Sequence, residues 1–416
     1  MAGRSLILDC NNKIGEKVNI CGWVQARRDH GKILFLDVLD RSGLIQAVTQ
    51  SADLRPQDVV CITGTVKKRP ENLVNKNIPT GEIEISAEKI EILSKAKELP
   101  FDMGGPELHL ELPTLLDWRS LTLRHPKIKK IFETQANLVE SFRKATQELG
   151  CTEIFVPTIS YSSTEGGAEV FKFKYFDHQA FLIQSPQLYK QILVPVFERV
   201  SLLSHAYRAE PSVTTRHLAE SVQLDVEMGL VEFTELMDAF EAIAKKMLNL
   251  QGQVPRITFK QAQEIILKRT KRDQSKELDL TPEDEKVLGK WVKEEHGSEL
   301  LTVTHFYTKK RAFYTMPDPA DPEYSLSYDL LYKGMEVLSG SQRIDEYDKL
   351  VMVIQERGMD PKDFQMYLQA FQFGMPPHGG FSFGLERLTM QFLDLANIRQ
   401  ASLFPRDMER VDVKLR

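Results

Sequence analysis

Cysteine is scarce: the 416 residues contain four, at Cys10, Cys21, Cys61 and Cys151. None forms a CxxC pair, so neither a zinc site nor a disulfide framework is expected, and a reducing compartment fits. No run of roughly 18 apolar residues occurs, so no transmembrane helix and no membrane partner are expected. The opening MAGRSLILDCNNK lacks a charged-then-apolar signal pattern, and the chain reads as a soluble cytoplasmic protein. There is no internal repeat and no low-complexity segment. Net charge is small too, at −5 with 27% of residues charged. That balance argues against bulk electrostatic binding of nucleic acid, so any such partner must be met by local patches and specific contacts. The length allows two or three domains around a sizeable core.

Residues 1–100 read as all-β. Short alternating runs recur at 18–24, 33–39, 44–48, 59–66 and 82–92, punctuated by turn residues at 40–43 and 79–81. Five strands at this spacing fit a small barrel of the OB type, a common platform for single-stranded nucleic acid. A generic β-sandwich without a ligand fits the periodicity equally well. Residues 101–125, rich in Pro, Gly and Leu without clear period, read as a hinge. From 126 to 416 the pattern becomes mixed α+β. Apolar residues at helical spacing run over 128–148 and end at Gly150 as a C-cap signal. A strand is expected over 151–157 and a helix over 236–250. Residues 251–300 read as a mostly helical, solvated insertion, with an N-cap run at 279–283.

Two segments carry chemistry. SHAYRAEPSVTTRHLAESVQLDVEM (204–228) holds an apolar strand ending in Arg208 and Glu210. A polar loop with Arg216, His217 and Leu218 follows, then a strand with Asp225 and Glu227. GGFSFGLERL (379–388) is a Gly-rich strand running into a helix that opens with Glu386 and Arg387. Arginines so placed suit the clamping of a triphosphate and a carboxylate during in-line attack, because the planar guanidinium binds both in bidentate fashion. QSPQLYKQILV (184–194) places Gln187, Lys190 and Gln191 at i, i+3 and i+4, on one helix face behind Ser185 and Pro186. Such a face either reads a polar ligand or is simply solvated.

The first two segments resemble motifs 2 and 3 of the class II aminoacyl-tRNA synthetases. QSPQLYKQ resembles the segment by which aspartyl-tRNA synthetases recognise their amino acid. GMEVLSGSQRI (334–344) is similar to that family's acidic-residue, small-turn, arginine pattern. The resemblance runs from residue 18 to 407 and is to the compact archaeal and eukaryotic type. It implies an OB anticodon-binding domain and a catalytic domain built on an antiparallel sheet flanked by helices. The implied activity is an aspartate–tRNA ligase that uses ATP and Mg2+. Lys190 and Arg343 would hold the aspartate side chain, with Gln187 beside them. Glu165, in the STEGG lid at 163–167, and Asp225 would meet its ammonium. Arg208 would contact the α-phosphate and Glu210 the adenosine or the accepting tRNA end. Arg216 and His217 would lie over the outer phosphates, Leu218 would border the nucleotide, and Arg387 would stack on adenine. Glu336, Ser339 and Asp329 would supply oxygens to the metal. Arg208 and Arg387 are thus the implied catalytic residues.

In the barrel, Phe35, Gln46 and Glu84 match anticodon-reading positions, although an apolar strand alone would make Phe35 a core residue. Gln25 and Pro79, on barrel loops, are candidates for the third anticodon base. That contact decides between charging of tRNA(Asp) alone and charging of tRNA(Asn) as well, and the residues leave both open. A homodimer is implied by the helix at 128–148 with the strand leading to Pro157. The chain departs from the family pattern at Ser221, Ser382, Phe383 and the SLLSH run at 201–205. Pro195 also interrupts the helix after Lys190.

Overall fold

The computed structural model describes residues 3–31, 33–50, 52–162 and 169–415. They form two compact units, Met1–Ile128 and Lys129–Arg416.

The first unit is a closed five-stranded barrel of Lys17–Asp29, Leu34–Leu39, Leu44–Thr49, Val59–Lys68 and Ile83–Ser94. Alternate residues point inward, as the period-two pattern requires. Val18, Ile20, Leu36, Val38, Ile45, Ala47, Val60, Ile62 and Ile85 form a fully buried core. Closure comes from the parallel pairing of Ala47 with Ile85.

Two expectations fail here. Cys21 and Cys61 are joined by a disulfide. Forty residues separate them in sequence, but they sit directly opposite one another in the antiparallel ladder of Lys17–Asp29 with Val59–Lys68. Sequence spacing carries no trace of that register. Gln25 is not on a loop. It is the extra residue of a β-bulge between Val24 and Ala26, is buried, and donates from Nε2 to the Met103 carbonyl at 3.0 Å. The expected hinge is partly helical, at Leu112–Asp117 and Arg119–Thr122.

The second unit is built on an eight-stranded sheet. From edge to edge it runs Arg256–Thr258, Leu300–Thr304, Ser327–Tyr332, Met335–Gln342, His378–Gly384, Glu220–Gly229, Arg199–Tyr207 and Thr152–Glu153. The six central strands are antiparallel and both edge strands pair in parallel. The expected strand over 151–157 is thus confined to two paired residues. One face of the sheet is covered by the helices Pro126–Glu148 and Phe233–Leu248. Leu138, Phe142, Phe240 and Ile243 pack there on Leu224, Val226, Leu338, Phe381 and Phe383. The alternation turns Gln223, Asp225, Ser339, Ser341 and Ser382 to the opposite face, where the site lies.

The 251–300 region holds the helices Phe259–Thr270 and Pro282–His296, both entered through capping boxes, at Thr258/Gln261 and Thr281/Asp284. It is not a solvated appendage. Phe259, Ala262, Ile266, Leu288 and Val292 bury one face against Leu301, Val303 and Leu331 of the sheet. Pro195 does not break a continuous helix either. Gln187–Ile192 ends first, and Pro195 lies in the opening turn of the next short helix, Val194–Phe197.

Candidate active site

A cavity of about 260 Å3 opens on the polar face of the sheet. Strand order brings its walls together. His378–Gly384 lies between Met335–Gln342 and Glu220–Gly229, so residues more than 150 positions apart become neighbours.

At the floor, four charged side chains are almost fully buried: Lys190 is 1% exposed, Arg343 4%, Asp225 1% and Glu227 0%. Lys190 Nζ lies 2.8 Å from Asp225 Oδ1 and 3.3 Å from Glu227 Oε2. Arg343 donates from Nε to Glu227 Oε1 at 2.8 Å and from Nη2 to Oε2 at 3.1 Å. It also reaches Ser341 Oγ at 2.7 Å and the Gly380 carbonyl at 2.9 Å. Burial of charges at this depth demands such pairing. Gly380 makes it possible: a Cβ there would stand 2.1 Å from Glu227 Oε2, so only glycine lets that carboxylate cross the neighbouring strand. Burial pushes the Glu227 carboxyl up, but Arg343 and Lys190 outweigh it and hold the group down at about 2. Burial pushes the Asp225 carboxyl up against the pull of Lys190. Asp225 Oδ2 and Ser382 Oγ are both buried and neither makes a hydrogen bond of normal geometry. They line the cavity and can take a polar ligand.

Toward the mouth the walls carry Arg208, Glu210, Arg216, His217, Leu218, Glu336, Ser339 and Arg387. Arg387 Nη1 is 3.4 Å from Glu336 Oε1. The His217 ring meets the Thr214 hydroxyl at 2.8 Å. Burial, with Arg387 and other cations beside it, lowers its pKa and favours the neutral imidazole. Arg208 lines the mouth near His217, where its guanidinium suits an anion. Ser221, Ser382 and Glu386 also line the cavity, whereas Phe383 points to the core and packs edge-on against Phe381.

The metal-ligand candidates divide. Glu336 and Ser339 face the cavity. Asp329 sits across the ladder from Ser339, and both its oxygens accept from Arg311, at 3.1 and 2.7 Å. It therefore reaches a cation only if Arg311 turns away. Among the described residues no three His, Cys, Asp or Glu side chains converge as a metal cluster. One carboxylate and one hydroxyl, completed by phosphate and water, still suit an ion of the Mg2+ type. Glu165 lies outside the described residues.

Three functional-looking residues escaped the sequence reading. Arg311 lines the cavity and stacks on Phe306 at 3.9 Å. Glu285, from the helix Pro282–His296, is ion-paired with Arg216 and accepts from the Glu336 backbone N–H at 3.0 Å. His378 closes a buried chain of amides behind the floor. Only the charged, capped helix start at 279–285 offered a signal, and it did not show which way the helix faced.

On the barrel, Phe35 lies on the outer surface rather than in the core, edge-on to His30 at 5.4 Å. Gln46 is held between Arg28 at 3.3 Å and Glu84 at 2.9 Å, and Arg28 grips Asp37 with two bonds of 2.6 and 2.8 Å. Phe35, Gln46 and Glu84 thus lie on neighbouring strands of one polar outer face. Pro79 is exposed, in the connection before Ile83–Ser94.

Comparison with known proteins agrees with this geometry. Residues 111–408 match the tRNA synthetases class II (D, K and N), and residues 18–93 match the OB-fold nucleic acid binding domain. The aspartate–tRNA(Asp/Asn) ligase of Thermus thermophilus is 39% identical over 430 residues, covering 98% of this chain and 99% of its own. The aspartate–tRNA(Asp) ligase of Pyrococcus abyssi is 37% identical, over 95% of this chain and 96% of its own. Among solved structures, the asparaginyl-tRNA synthetase of Pyrococcus horikoshii complexed with asparaginyl-adenylate superposes with a TM-score of 0.90. It is 32% identical, and the match covers 99% of this chain and 100% of that one.

Proposed function

Since the chain belongs to the class II tRNA synthetases of the D, K and N group, we propose that it is an aspartate–tRNA ligase. The observation that carries this reading is the convergence of Lys190 and Arg343 on Glu227 at the floor of the cavity. The floor is neutral, with two cations against Asp225 and Glu227. The ammonium of bound aspartate turns to Asp225 Oδ2 while its side-chain carboxylate, which only accepts, takes Lys190 and Arg343, which only donate. The neutral amide of asparagine would turn an NH2 donor against those donors and lose the charge-assisted bonds.

Two steps follow from that placement. An oxygen of the aspartate α-carboxylate attacks the α-phosphorus of ATP in line. The new O–P bond forms as the bond to pyrophosphate breaks. The nucleophile is already an anion, so no general base is needed. Arg208 neutralises charge on the α-phosphate, and Arg216, His217 and Arg387 hold the outer phosphates and the base. A bound Mg2+, held by Glu336 and Ser339, would neutralise charge on the departing pyrophosphate. The terminal ribose hydroxyl of the tRNA then attacks the activated carbonyl and AMP leaves.

The barrel reads the anticodon, with Phe35 stacking on the middle base and Gln46 and Glu84 meeting its edge. A homodimer forms through the region of Thr152–Glu153, where Phe155 is 87% exposed. The protein acts in the cytoplasm, where tRNA is charged. A second reading, charging of both tRNA(Asp) and tRNA(Asn), is favoured by the Thermus thermophilus relative, whose name carries both.

Lys190→Leu tests the reading. Aspartate-dependent exchange of pyrophosphate into ATP should fall below detection in this variant. Exchange at the wild-type rate would refute the side-chain assignment.

A further inference from the structure

Behind the floor of the cavity runs a buried chain of hydrogen bonds with one possible polarity. Arg343 Nη2 donates to Gln187 Oε1 at 3.2 Å. Gln187 Nε2 donates to Gln191 Oε1 at 2.9 Å, which also accepts from the Tyr367 hydroxyl at 3.1 Å. Gln191 Nε2 lies 2.8 Å from His378 Nε2, and His378 Nδ1 lies 2.8 Å from the Pro376 carbonyl oxygen. The ends fix the direction. A guanidinium only donates and a carbonyl only accepts. Both amides must therefore point their oxygens toward Arg343 and their nitrogens toward His378. His378 must carry its proton on Nδ1 and present a bare Nε2.

We infer that His378 is the positioning residue that locks Gln187, Gln191 and, through them, Arg343 in the orientation that receives the amino-acid side chain. This rests on the reading of Arg343 as the aspartate contact.

The lock works because the alternatives are all costly. A proton on His378 Nε2 would face the Gln191 NH2, donor against donor. Turning Gln191 over would place its NH2 against the Gln187 NH2. Turning Gln187 as well would place an NH2 against Arg343, which cannot accept. Each misfit leaves a buried polar group unsatisfied. The strand itself couples the two ends, since the Arg343 N–H donates to the His378 carbonyl at 2.9 Å.

His378 is fully buried and lies beside Phe371 at 6.0 Å. The ionisable groups that act on it are Glu227, Arg343 and Asp345, and Tyr367 reaches the chain through Gln191. Burial lowers its pKa, with Arg343 acting the same way, and outweighs the opposing pull of Glu227 and Asp345. The neutral ring is thus the resting form near neutral pH. Protonation in acid breaks the chain.

The test is the Michaelis constant for aspartate in pyrophosphate exchange, measured on the full chain against pH. In the wild type it should rise in acid, as pH falls below the ordinary histidine range and the lowered histidine takes up its proton. His378→Phe removes the acceptor and should raise the aspartate constant about tenfold at neutral pH, with the ATP constant within about twofold. His378→Gln supplies an amide oxygen near the Nε2 position. It should restore the neutral-pH constant and abolish the acid rise.

Should His378→Phe not fold, the wild type and His378→Gln decide between them. An acid rise that persists in His378→Gln overturns the inference. So does an equal loss for aspartate and ATP in His378→Phe. Absence of any aspartate-dependent exchange in the wild type would instead strike the underlying assignment of the site.

Discussion

Glu227 and Arg343 face each other through two nearly parallel hydrogen bonds, Nε to Oε1 at 2.8 Å and Nη2 to Oε2 at 3.1 Å. Both side chains come from strands of the central sheet or its immediate continuation, and the strand His378–Gly384 passes between those two strands. The pair therefore depends on a gap in the intervening strand, which Gly380 provides. Gly380→Ala should destabilise the protein by about 3 kcal/mol through overpacking and should abolish aspartate activation. Urea denaturation and pyrophosphate exchange read the two effects. A variant with wild-type stability and exchange would show that the carboxylate does not cross there.

Glu285 reaches the site from a helix that the sequence gives no reason to aim inward. It steadies Arg216 and the backbone of Glu336 together. Glu285→Ala should raise the Michaelis constant for ATP about tenfold, the scale of one lost charge-assisted hydrogen bond. The constant for aspartate should not change. A fall in the ATP constant would mean that Glu285 competes with phosphate for Arg216.

Glu386 sets a pH dependence of stability. Burial raises its carboxyl from 4.5 to about 7, although the Val222 N–H opposes the shift. Between those values the unfolded chain has released a proton that the folded chain still holds. Stability contributed by this group therefore falls as pH rises through that window, and nothing is lost below it. The loss is on the order of 3 kcal/mol. Glu386→Gln keeps an oxygen for the Val222 N–H and cannot ionise. The stability gap between variant and wild type should open between about pH 5 and pH 8 in denaturant titrations. A gap that does not vary with pH would contradict the assignment.

On the proposed reading, Phe35 serves tRNA binding and takes no part in activation of the amino acid. Phe35→Ala should weaken the Michaelis constant for tRNA about tenfold, as expected for one lost base stack. Pyrophosphate exchange without tRNA should be untouched. Equal loss in both assays would place Phe35 in the folding of the barrel.

The strands of the barrel were legible because they follow a period of two, while the central sheet was expected only from the family resemblance. The 18–24 and 59–66 runs, for example, alternate as the closed sheet does. That Asp225 and Ser339 share one face of the sheet is seen only in the structure. What escaped was set by contacts between distant strands. The Cys21–Cys61 bond depends on ladder register. Gln25 is buried against Met103 at a bulge that no residue pattern announces. Arg311 and Glu285 matter only because Asp329 and Arg216 stand opposite them. His378 sits in a PPHGG run whose glycines drew attention while its ring did not. Pro195 and Ser382 mislead in the other direction: each looks disruptive in sequence and is accommodated locally, by a helix start and by a place in the cavity wall.

The central claim is best tested by charging purified tRNA(Asp) and tRNA(Asn) transcripts with labelled aspartate in the presence of ATP and Mg2+. Aspartate should appear on tRNA(Asp). Label on tRNA(Asn) as well would identify the form that charges both. Label on neither, beside an active control enzyme, would contradict the reading of this chain as an aspartate–tRNA ligase.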